Sequence, residues 1–100
     1  MLIVREVITA KPGQASKLAK LFKKVFASDP TAVVMTDLVG NYNTVVVEMK
    51  VKNLAEFEKQ MEEMKSGKTD RKMDPQVMEE MKKYTEMYQT GRREIYQIVE

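Results

Sequence analysis

The chain of 100 residues carries 17 Lys and Arg against 15 Asp and Glu, for a formal net charge of +2, and it contains no Cys, His or Trp. This length is typical of one domain over residues 1–100, with a core small enough for association with another chain to add useful stability. Without Cys or His, the sequence excludes disulfides, thiolate nucleophiles, iron–sulfur clusters, imidazole-based catalysis and the usual zinc and haem sites. We therefore expect no metal and no cofactor.

Two further features of the sequence bear on the cellular location of the protein and on its binding partners. No apolar stretch approaches the roughly 20 residues that a membrane span needs, and Arg5 and Glu6 follow the apolar N-terminus too early for a signal peptide. We therefore expect a cytoplasmic protein. We interpret the positive charge of the first helix as a solvent-facing surface rather than a contact with a membrane or nucleic acid. It consists of Lys17, Lys20, Lys23 and Lys24.

The first part of the chain predicts a strand, a helix and a second strand. Residues 2–10 (LIVREVITA) have strand composition, with apolar side chains directed to both faces, and the turn sequence at 11–13 follows. Apolar residues at helical spacing predict a helix over residues 14–27. The Ser-Asp-Pro sequence at 28–30 ends that helix, and residues 31–39 (TAVVMTDLV) predict the second strand.

The middle of the chain predicts a hairpin and a capped helix. Residues 40–43 (GNYN) are a turn signal, and residues 44–51 (TVVVEMKV) predict a third strand. Asn53, with Glu56 three residues later, predicts a capping-box start for the next helix. The apolar stripe of that helix consists of Leu54, Phe57, Met61 and Met64.

The last third of the chain predicts another helix and a final strand. Residues 66–72 are polar and predict a linker, and the Asp-Pro pair at 74–75 is a typical helix start. The Thr-Gly pair at 90–91 predicts the end of this helix, and residues 93–100 (REIYQIVE) predict the last strand. The apolar face of the helix consists of Val77, Met78, Met81, Tyr84, Thr85 and Tyr88.

The order βαββααβ becomes the ferredoxin-like βαββαβ plan when the two adjacent helices are taken together. Right-handed crossovers then predict an α+β fold with an antiparallel four-stranded sheet in the order 4-1-3-2 and the helices on one face. Val45 and Val47 would face one side of the sheet and Val46 and Glu48 the other, and the side without helices would be bare. Exposed apolar faces of this kind normally mark an interface. We therefore predict that a second copy of the chain covers the bare face of the sheet and forms a homodimeric α+β barrel.

Two segments resemble the dimeric α+β barrel superfamily. VREVITAKPGQASKLAKLF, residues 4–22, is similar to the first strand and helix of these proteins. GNYNTVVVEMKVKNLAEFEKQ, residues 40–60, is similar to their hairpin, third strand and second helix. The resemblance is to NIPSNAP-like proteins and to antibiotic-biosynthesis-monooxygenase-like proteins, and it implies a homodimer formed through the sheet.

The superfamily includes cofactor-free monooxygenases, haem-degrading enzymes, isomerases and stress-response proteins. Haem-degrading members depend on a His ligand, with an Asn and a Trp near the haem, so that activity cannot be carried over to a chain without His and Trp. The cofactor-free monooxygenases commonly use Asn and Trp near an aromatic substrate. Of these two residue types only Asn is present, at Asn41, Asn43 and Asn53.

Methionine and aromatic residues of the helices are predicted to lie against the sheet. The chain has nine Met, and pairs spaced three apart could hold a soft cation such as copper(I), although filling irregular gaps in the core is the simpler interpretation. A Met-rich space edged by aromatic rings could also hold an adaptable apolar ligand. The predicted lining residues are Phe22, Phe57, Met61, Met81 and Tyr84.

Charged residues within the strands are the remaining candidates for chemistry. The predicted strand order places the first strand between the third and the fourth, where Arg5 and Glu6 can meet opposite charges. A desolvated carboxylate, Glu48 or Glu6, could act as an acid or base, with Tyr96 and Arg5 orienting an anion or enol. The alternative is that these groups form ion pairs that fix the register of the dimer.

The sequence therefore favours a small homodimeric protein that binds an apolar or aromatic ligand or acts in a stress response without catalysis. The alternative is a cofactor-independent monooxygenase or isomerase acting on a small aromatic or polyketide-like substrate. A third interpretation is a regulatory module that associates with another protein.

Overall fold

A computed structural model describes residues 1–66 and 75–100, and for residues 64–66 it describes the backbone alone. Within these parts of the chain, four strands and three α-helices follow the predicted order, with a short 3-10 helix before the last strand. The elements are β1 (Leu2–Ala10), α1 (Ala15–Val25), β2 (Val33–Thr36), β3 (Thr44–Val51), α2 (Leu54–Ser66), α3 (Pro75–Met81), the 3-10 helix (Tyr84–Glu86) and β4 (Tyr88–Gln97).

The four strands form one antiparallel sheet in the order β2-β3-β1-β4, which confirms the predicted topology. Strand β1 is central, with Arg5 opposite Glu48 on β3 and opposite Glu94 on β4. The sheet is open, and the fold is the predicted α+β arrangement of ferredoxin-like topology. Because residues directly opposite each other share a face, this register determines which strand residues meet the helices.

The core lies between the sheet and the helices. On β3, Val45 and Val47 are fully buried, whereas their neighbour Val46 lies on the opposite face and is only half-buried. Helix α1 covers these strands with Leu18 and Phe22, and a second apolar cluster joins α1 to Val77 of α3. Burial of this alternating set provides the main stabilisation of the domain.

The C-terminal part of the chain differs from the prediction. The helix that was expected to continue to Tyr88 ends at Met81, and β4 begins at Tyr88, not at residue 93. The reason is pairing in the sheet, because Tyr88 lies opposite Ala10 and Thr90 lies opposite Thr9 of β1. Tertiary pairing of aromatic and β-branched residues thus overrides the helical spacing of the segment.

The predicted boundaries at other places need smaller corrections. Strand β2 covers only 33–36 instead of 31–39. At its end the Asp37 N–H still donates to the Thr44 carbonyl oxygen at 3.2 Å, but the Thr44 N–H donates to the side-chain atom Asp37 Oδ1 at 2.8 Å, which ends the regular ladder. Helix α1 is shorter than the predicted 14–27 by one residue at its start and two at its end. The predicted linker at 66–72 and the cap at residue 74 lie largely outside the described residues.

Two turns depend on left-handed backbone conformations, one between β1 and α1 and the other immediately before β3. Gly13, with a φ of 80°, allows the chain to turn from β1 into α1, and Asn43, with a φ of 61°, closes the hairpin before β3. Gly and Asn are the residues that adopt this conformation at least cost. Three large apolar side chains of the β2–β3 loop are almost fully exposed: Leu38, Val39 and Tyr42.

Helix α2 begins at the predicted cap. The Oδ1 atom of Asn53 accepts a hydrogen bond from the Glu56 N–H at 2.9 Å, which satisfies one of the unpaired donors of the first turn. Within residues 1–66 and 75–100, none of the helices has the length and apolar character required to cross a bilayer.

We predict that Asn53→Ala lowers the free energy of unfolding by about 1 kcal/mol, because it removes this cap from an exposed side chain without creating a cavity. Urea denaturation followed by circular dichroism measures the change. Lys52→Ala, at the exposed preceding residue, is the control and should change stability much less. Equal effects of the two substitutions would contradict a stabilising role for the cap.

Candidate functional site

An open cavity of about 680 Å³ lies between the sheet and the helices. Its wall is mainly apolar and aromatic, and each of the three helices contributes to it, together with β1, β3 and β4. The structure places all five residues of the predicted lining at this cavity: Phe22, Phe57, Met61, Met81 and Tyr84.

The helical repeat explains why these side chains converge. Phe22 is on the sheet-facing side of α1, and it contributes to both the core and the cavity. Phe57 and Met61 are four residues apart on α2 and therefore project from the same side of the helix. Met81 is the last residue of α3, and Tyr84 opens the 3-10 helix that follows.

Two further lining residues, Tyr88 and Gly91, come from β4 and were not predicted. They are three residues apart and still share the helix-facing side, because the register shifts between their partners Ala10 and Ile8 of β1. A side chain at Gly91 would approach the Tyr88 ring and the Val7 carbonyl oxygen at 3.2 Å. An isolated Gly within a strand is the sequence signal that could have identified this close approach.

The aromatic rings of the cavity contact one another and a cation. The centroids of the Tyr84 and Tyr88 rings are 5.6 Å apart, with the rings tilted at 59°. The guanidinium carbon of Arg93 lies 5.2 Å from the centroid of the Phe57 ring. Both arrangements are typical of favourable aromatic and cation–π contacts.

The polar part of the cavity wall is an ion pair between neighbouring strands. Glu6 of β1 and Arg93 of β4 lie directly opposite each other, and Arg93 Nε donates a hydrogen bond to Glu6 Oε1. Their side chains are 22% and 42% exposed, respectively. The pair is therefore partly exposed at the edge of a mainly apolar space, where it is only partly screened by water.

The opposite, uncovered side of the sheet carries a second set of paired charges. Arg5 Nε donates a hydrogen bond to Glu48 Oε2 at 2.8 Å, and its guanidinium carbon lies 5.9 Å from the centroid of the Tyr96 ring. The Tyr96 hydroxyl donates to Glu94 Oε2 at 2.6 Å, and Arg92 Nε lies 3.7 Å from Glu94 Oε1. The two cations and two carboxylates of this group compensate one another.

These contacts shift two pKa values. The hydrogen bond and charge of Glu48 raise the pKa of Arg5 further above its ordinary value. The hydrogen bond to Glu94 raises the pKa of Tyr96, because the neutral phenol can donate to the carboxylate whereas a phenolate would be repelled by it. Tyr96 is therefore a weaker acid in the folded chain than a solvated tyrosine.

The sheet separates the four residues that the sequence proposed for catalysis. Glu6 lies at the cavity, whereas Arg5, Glu48 and Tyr96 lie together on the other side of the sheet. Since the side chains of a strand alternate between faces, Arg5 and Glu6 cannot serve the same site within one chain. In the described parts of the chain, acidic residues do not form a group of three or more that could hold a metal ion.

Comparison with solved structures shows how widely this fold occurs. A NIPSNAP-like domain protein from Burkholderia xenovorans superposes with a TM-score of 0.75 and 13% identity, covering 98% of this chain and 84% of that protein. A NIPSNAP family protein from Agrobacterium tumefaciens gives a TM-score of 0.74 at 8% identity, covering 98% and 85%. The chain has the ferredoxin-like α+β fold of the NIPSNAP-domain proteins.

The same fold also occurs among monooxygenase-like proteins. An antibiotic biosynthesis monooxygenase superposes with a TM-score of 0.61 and 12% identity, covering all of both chains. No family model matches the sequence, and no curated protein matches it. The similarity to NIPSNAP-domain and monooxygenase-like proteins therefore lies in the fold, and the site must be interpreted from its own residues.

We predict that Tyr96 titrates above the ordinary tyrosine pKa of about 10 and that Glu94→Gln lowers its pKa towards that value. Because the folded-state pKa is raised, this interaction stabilises the fold fully below pH 10 and is lost as the pH rises through the folded-state pKa. NMR of chain labelled at the tyrosine ζ carbons measures the titration, and Tyr96→Phe assigns the signal among the four tyrosines. A Tyr96 pKa that does not respond to Glu94→Gln would contradict the hydrogen bond.

Proposed function

We propose that this chain is a homodimeric binding protein that holds a small apolar or aromatic compound between its sheet and its helices. The observation that supports this proposal is the cavity of about 680 Å³ with its lining of Phe, Tyr and Met side chains. Sites for small ligands are typically concave, about 300 to 1,000 Å³ in volume, and mainly apolar with a few polar groups. The cavity has all three properties.

The lining favours a planar ligand with some variation in shape. Phe22, Phe57 and the Tyr84–Tyr88 pair present aromatic surface from several directions. Met61 and Met81 are unbranched and polarizable, so they can adjust to ligands of different outline. We therefore expect flat, largely apolar molecules to bind, with affinity that depends on buried area more than on one specific hydrogen bond.

The dimer in this proposal is formed through the uncovered side of the sheet. Val33, 52% exposed, Met35, 37% exposed, and the half-buried Val46 contribute an apolar surface on the β2–β3 side. On β1, Ile3 and Val7 extend this surface across the centre of the sheet, because they face the same side as Val46. A surface of this kind is typical of an interface with another chain.

The charges on the same face favour a second copy of this chain as the partner. Arg5 with Glu48, and Arg92 with Glu94, are paired within one chain, so covering them leaves no uncompensated charge. In a two-fold symmetric dimer, the same surface of each chain meets the other chain's copy of it. Because the charges of these two pairs cancel at the centre of the face, the two copies would have no net repulsion at that point.

A cofactor-independent enzyme, a monooxygenase or isomerase acting on a small aromatic or polyketide-like substrate, is the second candidate. It is favoured by one observation, the position of Glu6 at the cavity, where a carboxylate could accept a proton from a bound substrate. Glu6 Oε1 already accepts a hydrogen bond from Arg93 Nε, so a substrate would have to compete with Arg93 for this carboxylate. Binding without chemistry is therefore the function that the site supports better.

We predict that aromatic compounds that raise the melting temperature bind about fivefold more weakly to Met61→Gln, because a polar amide replaces a thioether in the apolar wall. A thermal-shift screen of planar aromatic compounds followed by isothermal titration measures this. Met78→Gln makes the same change at a half-exposed position outside the cavity and should leave the affinity unchanged. A screen without any stabilising compound, or equal effects of the two variants, would contradict a ligand site in this cavity.

We predict a solution mass of twice 11.6 kDa that persists on dilution to low micromolar concentration, measured by light scattering. Val46→Glu places a charge in the centre of the uncovered sheet face and should convert the dimer into monomers, because an unpaired buried carboxylate is strongly unfavourable. Ala55→Glu adds the same charge at an exposed position on α2 and should leave the dimer intact. A monomeric wild-type chain would refute the dimer.

A further inference from the structure

Arg92 and Arg93 both line the cavity, but Arg92 lies opposite Val7 in the sheet and pairs with Glu94. The orientation of the Arg93 guanidinium group is determined from two directions. Arg93 Nε donates to Glu6 Oε1, which holds the side edge of the guanidinium group. The Phe57 ring lies against the guanidinium, 5.2 Å from centroid to guanidinium carbon. A planar group held at one edge and supported by a ring has little rotational freedom left, so its remaining donors point in a defined direction.

The other edge of the same guanidinium group is available. The two terminal nitrogens of Arg93 carry four of its five N–H donors, and within residues 1–66 and 75–100 neither forms a hydrogen bond. Arg93 is a lining residue of the cavity and its side chain is 42% exposed. Its donors can therefore be reached by a molecule that occupies the cavity while the bond to Glu6 remains in place.

The geometry of this edge matches a carboxylate. A guanidinium group presents two pairs of parallel donors, one at its side and one at its end, and either pair can bind the two oxygens of a carboxylate. Glu6 occupies the side of Arg93. A ligand carboxylate can occupy the end, with the attached ring system directed towards the aromatic and methionine side chains that form the rest of the wall.

We propose that Arg93 determines the class of ligand, and that this class is the aromatic carboxylates, bound with the carboxylate on the terminal nitrogens of Arg93 and the ring in the apolar part of the cavity. This proposal rests on the ligand-binding function proposed above. Glu6 is the positioning residue, since it orients Arg93. Its negative charge also opposes the ligand carboxylate, so Glu6 lowers the affinity while it fixes the geometry.

The test compares 2-naphthoate with 2-naphthamide, which have the same ring and similar size but differ in charge. Isothermal titration at low ionic strength gives both dissociation constants. We expect the wild-type chain to bind 2-naphthoate about tenfold more tightly than the amide, as a charge-assisted hydrogen bond in a half-exposed site allows. The preference should decrease as salt is added, because the contact is ionic.

Variants assign the preference to Arg93. Arg93→Gln should abolish it, and Lys59→Gln, which removes one positive charge from an exposed position on α2, should preserve it. Glu6→Gln should tighten 2-naphthoate binding severalfold and leave 2-naphthamide unchanged, because the Gln carbonyl oxygen can still accept the hydrogen bond from Arg93 Nε while the opposing charge is removed. The double variant Glu6→Gln/Arg93→Gln removes both charges of the ion pair, so no carboxylate is left without a partner. It should also show no preference for 2-naphthoate, and this loss could not be attributed to an unpaired Glu6.

The outcomes separate this inference from the proposed function. Equal affinities of the wild-type chain for the two probes would overturn the role of Arg93 while leaving ligand binding in the cavity supported. A preference for 2-naphthoate that persists in both Arg93 variants would also overturn it. No binding of either probe at millimolar concentration would contradict the proposed function itself, and the inference with it.

Discussion

Strand β1 is paired on both of its edges, and its side chains alternate between the two faces of the sheet. Arg5 and Glu6 are adjacent in sequence, yet each finds its own partner, Glu48 on β3 for Arg5 and Arg93 on β4 for Glu6. A shift of the register by one residue would exchange every side chain between the faces and separate both pairs. The charged pairs on the two faces of this sheet therefore depend on the register of the central strand with both of its neighbours.

This arrangement places two potential binding surfaces on opposite faces of the same sheet. The helix side provides an apolar cavity with one oriented cation, and the uncovered side provides an apolar surface with internally compensated charges. Adjacent strands are held by backbone hydrogen bonds, which resist sliding along one another. A dimer formed on the uncovered side would stiffen the sheet and thereby keep Glu6 and Arg93 in position for a ligand, which links the two proposals physically.

Sequence reasoning predicted most of the fold and five of the residues that line the cavity. The bounds of β1 and β3 and the Asn53 cap follow from local patterns, because strand composition and capping residues act over a few positions. The strand order follows from the order of the elements and the handedness of their crossovers. The five predicted lining residues also lie at the cavity. The helix was wrongly predicted to continue from Met81 to Tyr88, since the apolar residues of this segment repeat at helical spacing. Residues 84–86 instead form a 3-10 helix, and only pairing with β1 reveals Tyr88 as the start of β4.

The amino-acid sequence by itself determined the topology, the absence of imidazole and thiol chemistry, and the aromatic and methionine character of the space under the helices. Only the tertiary structure decided which residues share a site. It assigned Glu6 to the cavity and Arg5, Glu48 and Tyr96 to the opposite face, and it brought Tyr88 and Gly91 to the same side through the register shift in β4. The reason is that a strand pattern specifies that neighbours alternate, whereas the side that receives the helices depends on contacts between residues far apart in sequence.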